Sequence, residues 1–252
     1  MVNQIHKSKY GSLGWPLVFP RRNRMRRMIF LAIVICAIGS AAAAESIAEL
    51  KATAEAASKA ALAAPNDYAA NWMASKALQD YGDRMKTDDF PSWKDLGKVA
   101  SKDGMKFGDI AINLNRRGVE GWYYYGLNVG TYSDSVSIFS ALAEGLKDKT
   151  QKAFETAYSL DKTYDTYGPI LTLGRFWQVL PGIAGRDLNK AEKLFDEYIS
   201  SAGSSPKVNK DAYYFRGALY KDRGRNTEAK ADLQKAADMG QKDAIKLLAS
   251  MK

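Results

Sequence analysis

Apolar residues recur along most of this 252-residue chain at intervals of three and four positions, which is the spacing of one face of an α-helix. Alternation of apolar and polar residues, the strand pattern, is limited to a brief ambiguity at 136–139. The pattern predicts ten or eleven helices, over 47–64, 68–81, 89–114 with a possible break at Gly104, 119–129, 133–146, 149–160, 168–180, 188–201, 210–223, 226–239 and 242–250. We therefore expect an all-α fold.

Turn signals join these helices in pairs. Pro65, Asn66 and Asp67 stand between the first two predicted helices, where proline ends one helix and Asn or Asp caps the next. Gly224 and Asn226 stand between two helices near the carboxyl terminus in the same way. Because pair follows pair, the sequence has to be searched for internal repeats.

The clearest repeat lies at 211–240. Its small, aromatic, small, large apolar and small residues are Gly217, Tyr220, Ala229, Leu233 and Ala236. The last four follow the first by 3, 12, 16 and 19 positions, as in a tetratricopeptide (TPR) repeat. Since small residues let two antiparallel helices approach closely, we expect these five residues to pack one helix of the pair against the other.

Partial repeats precede this one in the chain. They consist of Phe154 and Ala157, and of Gly174, Trp177, Ala191, Phe195 and Tyr198. The second set is interrupted at 179–190 by a connection that is longer than a standard TPR turn and contains proline and glycine. We therefore predict that residues 45–252 form a TPR-like superhelical solenoid of helical hairpins, with a generic helical bundle as the alternative.

Residues 1–44 have the composition of an amino-terminal extension and a secretory signal peptide. Arginines at 21–27 precede an apolar run at 28–38, and Ala42 and Ala44 provide the small residues of a cleavage site before Glu45. The apolar run is shorter than the roughly 20 residues that span a bilayer. We expect a cleaved signal, no stable membrane span afterwards and a periplasmic or secreted bacterial protein, with a retained signal anchor as the alternative.

Cleavage at this site would remove His6 and Cys36, the only histidine and the only cysteine. Catalysis by Ser-His-Asp or Cys-His groups, and zinc sites built from His or thiolate, would then be excluded. No glycine-rich phosphate loop follows a predicted strand, so a nucleotide site has no support. We expect no enzyme activity, no cofactor and no metal. A carboxylate-based enzyme is the alternative, and acidic residues near predicted helix ends are Glu155, Asp161, Asp165 and Asp187.

The net charge of +9 does not indicate a nucleic-acid partner. Residues 1–44 hold seven of the 37 basic residues and none of the 28 acidic ones, so the rest of the chain is close to neutral. A basic surface that would attract a polyanion is therefore not expected on the folded part.

Residues 66–240 resemble the TPR component of TRAP-type solute transporters and related bacterial periplasmic proteins. The resemblance rests on the aromatic run at 122–125, Gly168-Pro169, Leu173-Gly174, Pro181 and the extended turn at 182–185. It implies a superhelical stack that binds proteins or a small ligand and docks with a periplasmic solute-binding protein. Cys36 follows Ile35, whereas a lipoprotein signal requires a small residue there, so lipid tethering is not expected.

Aromatic residues on the first helices of the predicted pairs are the candidate contacts with a partner or ligand. They are Trp122, Tyr123, Tyr124, Tyr125, Trp177, Tyr213 and Tyr214. Four consecutive aromatic residues on one helix point about 100° apart and cannot all face one core. We expect an interaction protein with an aromatic and polar groove for a protein partner. The alternatives are interhelical packing of these rings and a groove or pocket for a small apolar ligand.

Overall fold

The structure is a computed structural model that describes residues 45–202 and 210–251. The described residues form eleven α-helices and no strand. The helices are α1 (Ile47–Ala63), α2 (Tyr68–Thr87), α3 (Trp93–Leu114), α4 (Val119–Ser135), α5 (Ile138–Ala143), α6 (Leu146–Asp161), α7 (Tyr164–Val179), α8 (Leu188–Ala202), α9 (Lys210–Asp222), α10 (Asn226–Asp238) and α11 (Lys242–Ala249), with a short 3-10 turn at Gly182–Ala184. The predicted extension and signal peptide at 1–44 lie outside the described residues.

Local capping explains where the first helices begin. Ser46 and Glu49 form a reciprocal capping box at the start of α1. Asp67 caps α2 by accepting a hydrogen bond of 3.1 Å from the backbone N–H of Ala70. The predicted turn at 65–67 is thus the connection between α1 and α2.

Two sequence predictions about helix continuity are wrong. Gly104 does not break a helix, because α3 runs through it and the Asn128 side chain occupies the space where a Cβ would stand. The predicted helix at 133–146 is divided between the end of α4, the short α5 and the start of α6. Ser137 caps α5 through the backbone N–H of Ser140, and Gly145 adopts φ of 63° before α6. These two breaks divide a stretch that apolar spacing alone predicts to be one continuous helix.

The helices after α1 form four pairs. The first helices are α2, α4, α7 and α9, and their second helices are α3, α6, α8 and α10. α5 belongs to the connection within the second pair, and α11 follows the last pair. Ala244 of α11 packs against Leu233 and Ala236 of α10, so α11 covers the end of the stack.

Glycine on the first helix of three pairs allows close packing against one large side chain of the second. A Cβ at Gly126 would lie 2.6 Å from Phe154, one at Gly174 2.8 Å from Phe195, and one at Gly217 2.9 Å from Leu233. The matching buried positions of the three pairs are Gly126, Val129, Thr150, Phe154 and Ala157; Gly174, Trp177, Ala191, Phe195 and Tyr198; and Gly217, Tyr220, Ala229, Leu233 and Ala236. The same packing therefore recurs along the solenoid.

The first pair uses small and polar residues on both helices. Ser75 of α2 donates a hydrogen bond of 2.9 Å to the backbone carbonyl of Gly104 on α3. Asn128 of α4 donates hydrogen bonds of 2.9 Å to the backbone carbonyls of Ser75 and Tyr124. All of these hydrogen-bonding atoms are buried. The hydrogen bonds therefore fix how α2, α3 and α4 are arranged.

A left-handed turn precedes the regular part of α7. Asp165, Thr166 and Tyr167 have φ of 48°, 56° and 63°, a conformation that costs non-glycine residues about 1 kcal/mol or more each. Burial raises the pKa of the Tyr123 hydroxyl, the nearby Asp165 carboxylate raises it further, and a Cβ at Gly168 would lie 2.3 Å from that hydroxyl. The turn is thus shaped around Tyr123, and regular helical structure resumes at the predicted start, Gly168.

Candidate functional site

The first helices of the four pairs form one curved layer. α2 contacts α4, α4 contacts α7, and α7 contacts α9. In a flat layer with neighbouring axes about 8–10 Å apart, α2 and α9 would be separated by roughly 25–30 Å. Asp211 on α9 nevertheless lies close enough to Asp83 on α2 to raise the pKa of the Asp83 carboxyl group. The layer therefore curls around a concave surface, which we call the groove.

One end of the groove has an aromatic floor. The Trp72 ring stacks on Tyr124 with ring centres 5.9 Å apart, and the Lys76 ammonium lies 5.7 Å from the centre of the Tyr124 ring. Tyr164 approaches from α7 and donates a hydrogen bond of 3.3 Å to the Tyr124 hydroxyl. Burial raises the pKa of Tyr124, and the hydrogen bond with Tyr164 raises it further. The tyrosines of the floor are therefore uncharged, and the charged groups near them include Lys76, which is paired with Asp80, and the carboxylate of Asp165.

Asp83 is the carboxylate most available to a partner in the groove. Asp83 is exposed to solvent, and none of the described residues forms a hydrogen bond or an ion pair with its carboxylate. The surrounding protein displaces water and raises the pKa of Asp83; Lys86 lowers that pKa, while Asp80 and Asp211 raise it. Asp80 is paired with Lys76. Asp83 is thus a carboxylate that a cationic group of a partner would stabilise.

Arg175 provides the opposite charge in the groove. Its guanidinium lies 4.5 Å from the centre of the Phe215 ring and donates a hydrogen bond of 2.9 Å to Gln178. Gln178 in turn donates a hydrogen bond of 2.8 Å to the backbone carbonyl of Phe215. Burial lowers the pKa of Arg175, whereas Asp134 and Asp211 raise it. The side chain is held in place, and its planar cation suits a carboxylate or backbone carbonyl of a partner.

The seven predicted contact aromatics are distributed between the core and the surface. Tyr123, Tyr124 and Trp177 are buried, whereas Trp122, Tyr125, Tyr213 and Tyr214 are half-buried. None of the four rings at 122–125 is exposed. Burial leaves Tyr123, Tyr124 and Trp177 little surface for a partner. Trp177 occupies the same packing position as Tyr220 in the last repeat, and the Lys190 ammonium lies 4.0 Å from the centre of its ring.

The half-buried aromatics have different neighbours. Trp122 donates a hydrogen bond of 3.0 Å to the Arg116 carbonyl and lies beneath the Lys152 ammonium. Tyr125 packs against Gly108 of α3. The Lys235 ammonium of α10 lies 5.3 Å from the Tyr213 ring centre, so Tyr213 also faces a second helix. Burial raises the pKa of Tyr214, Asp211 raises it further and Arg175 lowers it. Tyr214 therefore lies near the charged residues of the groove.

The four acidic residues that the sequence offers for carboxylate catalysis are spread along the chain from α6 to the start of α8. Asp187 accepts hydrogen bonds from the backbone N–H groups of Asn189 and Lys190, and Asp161 accepts one from Thr163. Asp165 lies in the left-handed turn, and Glu155 accepts a hydrogen bond from Gln151 on α6. Asp161 and Asp187 thus stabilise helix ends.

Sequence reasoning missed the residues that give the groove its chemistry. Trp72, Lys76 and Asp83 lie on α2, Arg175 lies on α7, and Phe215 lies on α9. Arg175 meets Phe215 because α7 packs against α9, and the curl of the layer brings this end towards α2; no local motif marks these residues. Aligning α2 and α7 on their small packing residues would have placed Lys76 and Arg175 at equivalent positions, immediately after Ser75 and Gly174.

Two shallow depressions that are open to solvent lie elsewhere on the described surface. One follows α6 from Asp148 to Leu160, and the other lies between α10 and the residues after α11. Within 45–202 and 210–251, no helix combines the length and the apolar character needed to cross a membrane.

The fold is similar to two solved structures of low sequence identity. TTC0263, a thermophilic TPR protein in Thermus thermophilus, has a TM-score of 0.57 and 14% identity, covering 81% of this chain and 91% of that one. MamA has a TM-score of 0.51 and 18% identity, covering 78% and 92%. No family model and no curated protein matches the chain. The protein has a TPR-like helical solenoid fold, as its sequence predicted.

Proposed function

We propose that the protein is an exported, non-catalytic interaction protein whose groove binds a segment of a protein partner. The observation that carries the proposal is the placement of two opposite charges, the exposed carboxylate of Asp83 and the fixed guanidinium of Arg175, on the concave face. The half-buried ring of Trp72, which is stacked on Tyr124, adds apolar contact area at one end of the groove. Such a surface suits an extended polypeptide, which presents charges, carbonyl groups and side chains along its length.

The partner proposed is a periplasmic solute-binding protein of a TRAP-type transporter. The support for this is the resemblance carried by the residues at 118–130 and 168–185, together with the export signal pattern at 21–44. In this role the solenoid acts as a scaffold or accessory subunit in solute uptake. A small apolar ligand is less suited to the groove because Asp83 and Arg175 would lose water without gaining a polar partner.

The test is affinity capture from periplasmic extract with wild-type protein and two variants of equal charge change. Asp83→Lys alters the groove, and Glu155→Lys alters the exposed surface of α6. We expect wild type and Glu155→Lys to retain the same protein and Asp83→Lys to lose it, because a cationic contact becomes a repulsion. Mass spectrometry then identifies the protein, and a solute-binding protein supports the finer assignment.

Two results would oppose the proposal. Equal capture by wild type and Asp83→Lys would mean that the groove is not the binding surface. Absence of any captured protein, together with a native mass spectrum that shows a co-purified small molecule, would favour a ligand-binding function instead.

A further inference from the structure

Apolar side chains are exposed on the longer connections between the two helices of a pair. These connections are 88–92, 136–145 and 180–187, whereas the last pair has only 223–225. The exposed apolar residues on or beside them are Phe90, Ile138, Phe139, Leu142, Val179 and Ile183. Phe139 is 79% exposed and Ile183 is 85% exposed. The side chains of Phe139 and Ile183 are therefore not packed against the solenoid.

Polar contacts place these connections side by side along one edge of the solenoid. Lys86, near the end of α2, pairs with Asp134, near the end of α4. Arg186, in the connection of the third pair, pairs with Asp222 at the end of α9. The first ion pair joins the carboxyl ends of α2 and α4, and the second joins the connection 180–187 to the carboxyl end of α9, so each links neighbouring helix pairs at this edge. We call this side of the molecule the loop edge.

The amino-terminal segment joins the folded part at the same edge. The Arg84 guanidinium, near the carboxyl end of α2, donates a hydrogen bond of 3.1 Å to the backbone carbonyl of Glu45. Glu45, which directly follows the predicted signal, therefore lies beside the loop edge. Before cleavage, or as a retained anchor, a membrane-bound signal would keep the start of the folded part close to a bilayer.

We propose that the loop edge rests on a lipid bilayer, with Phe139 and Ile183 inserted at the boundary between headgroups and acyl chains. Separate protruding side chains can enter a deformable lipid surface without a matching partner surface. A stable protein interface would instead require a continuous patch of about 800 Å² on each side. Each inserted side chain is expected to strengthen partitioning into the bilayer by about tenfold or more.

The experiment places a reporter at the loop edge and at a matched site on the opposite edge. In full-length protein that carries Cys36→Ser, a single cysteine replaces Phe139, Ile183 or Leu62 and is labelled with an environment-sensitive fluorophore. Leu62 is 72% exposed and lies at the end of α1, beside the short turn at 65–67, so it is a comparable apolar side chain at the other edge. Vesicles of phosphatidylethanolamine and phosphatidylglycerol are then added.

We expect the emission of labels at 139 and 183 to shift to the blue with vesicles, while the label at 62 does not change. An unchanged signal at 139 and 183, or an equal shift at 62, would overturn the proposal. A blue shift that needs no vesicles and grows with protein concentration would show self-association through this edge and would also overturn it. Far-UV circular dichroism verifies that the labelled variants remain helical.

Discussion

The packing within helix pairs can be tested by adding one methyl group at two positions of the same helix. Gly126 and Gly130 both lie within α4, but their surroundings differ. A Cβ at Gly126 would lie 2.6 Å from Phe154 and 3.1 Å from Ala153 on α6. A Cβ at Gly130 would meet no atom within 4 Å. Comparing Gly126→Ala with Gly130→Ala therefore isolates the contact between α4 and α6.

The expected magnitudes follow from two opposing effects. Replacing glycine by alanine within a helix stabilises the folded state by about 1 kcal/mol in either variant. At position 126 the methyl group also has to displace a buried ring that packs edge-on against Phe176, and such overpacking costs about 1–3 kcal/mol. We expect Gly130→Ala to stabilise the protein by about 1 kcal/mol and Gly126→Ala to be less stable than Gly130→Ala by about 2 kcal/mol.

The measurement is urea unfolding followed by far-UV circular dichroism, with wild type and both variants compared in the same buffer. The denaturation midpoint should rise for Gly130→Ala and fall or stay level for Gly126→Ala. If both variants were stabilised equally, the side chain of Phe154 would not pack against Gly126. The recurring contact between first and second helices would then be absent from this pair.

Three further predictions concern charge and backbone strain. Asp232→Ala should lower the free energy of unfolding by about 3 kcal/mol, because Arg216 is mostly buried and would lose the carboxylate to which it donates two hydrogen bonds. Asp196→Ala removes only the exposed partner of Arg216 and should cost less than about 1 kcal/mol. Similar losses for the two variants in urea unfolding would contradict this. Asp83→Asn should raise the melting temperature at neutral pH, because folding raises the pKa of this carboxyl group and so disfavours its ionised form. The gain should vanish below about pH 3.8, where the unfolded carboxyl is protonated as well, and a gain that persists there would have another cause. Thr166→Gly should stabilise the protein by up to about 1 kcal/mol by relieving the left-handed conformation, and a clear loss in thermal unfolding would refute this.

The sequence was most informative where packing is local. Helix spacing and the residues of the 211–240 repeat indicate the all-α fold and the last pair, because its two helices are joined by a short turn that preserves the repeat spacing. Gly174 and Phe195 could be matched despite the longer connection between them. Gly126 and Phe154 could not be matched from the sequence, because α5 and its flanking residues separate α4 from α6 and remove the regular repeat spacing.

The groove could not be derived in the same way because its residues are distant in the sequence. The aromatic run at 122–125 identifies a first helix, but its sequence does not show which ring faces which neighbouring helix. Tyr123 is buried because the left-handed turn at 165–167 closes over it. Asp83 and Arg175 become neighbours of the same groove only when the stack curls. Curvature depends on packing between pairs, which no single repeat encodes.

The central claim is that the protein binds its partner in the groove, and site-specific photo-crosslinking tests it most directly. A photoreactive phenylalanine derivative replaces Tyr214, which lies near Arg175 in the groove, or Glu155, on the exposed surface of α6, in protein expressed in its own host. After irradiation, we predict one covalent adduct with another protein from position 214 and none from position 155. Adducts from position 155 alone, or identical adducts from both positions, would contradict binding in the groove.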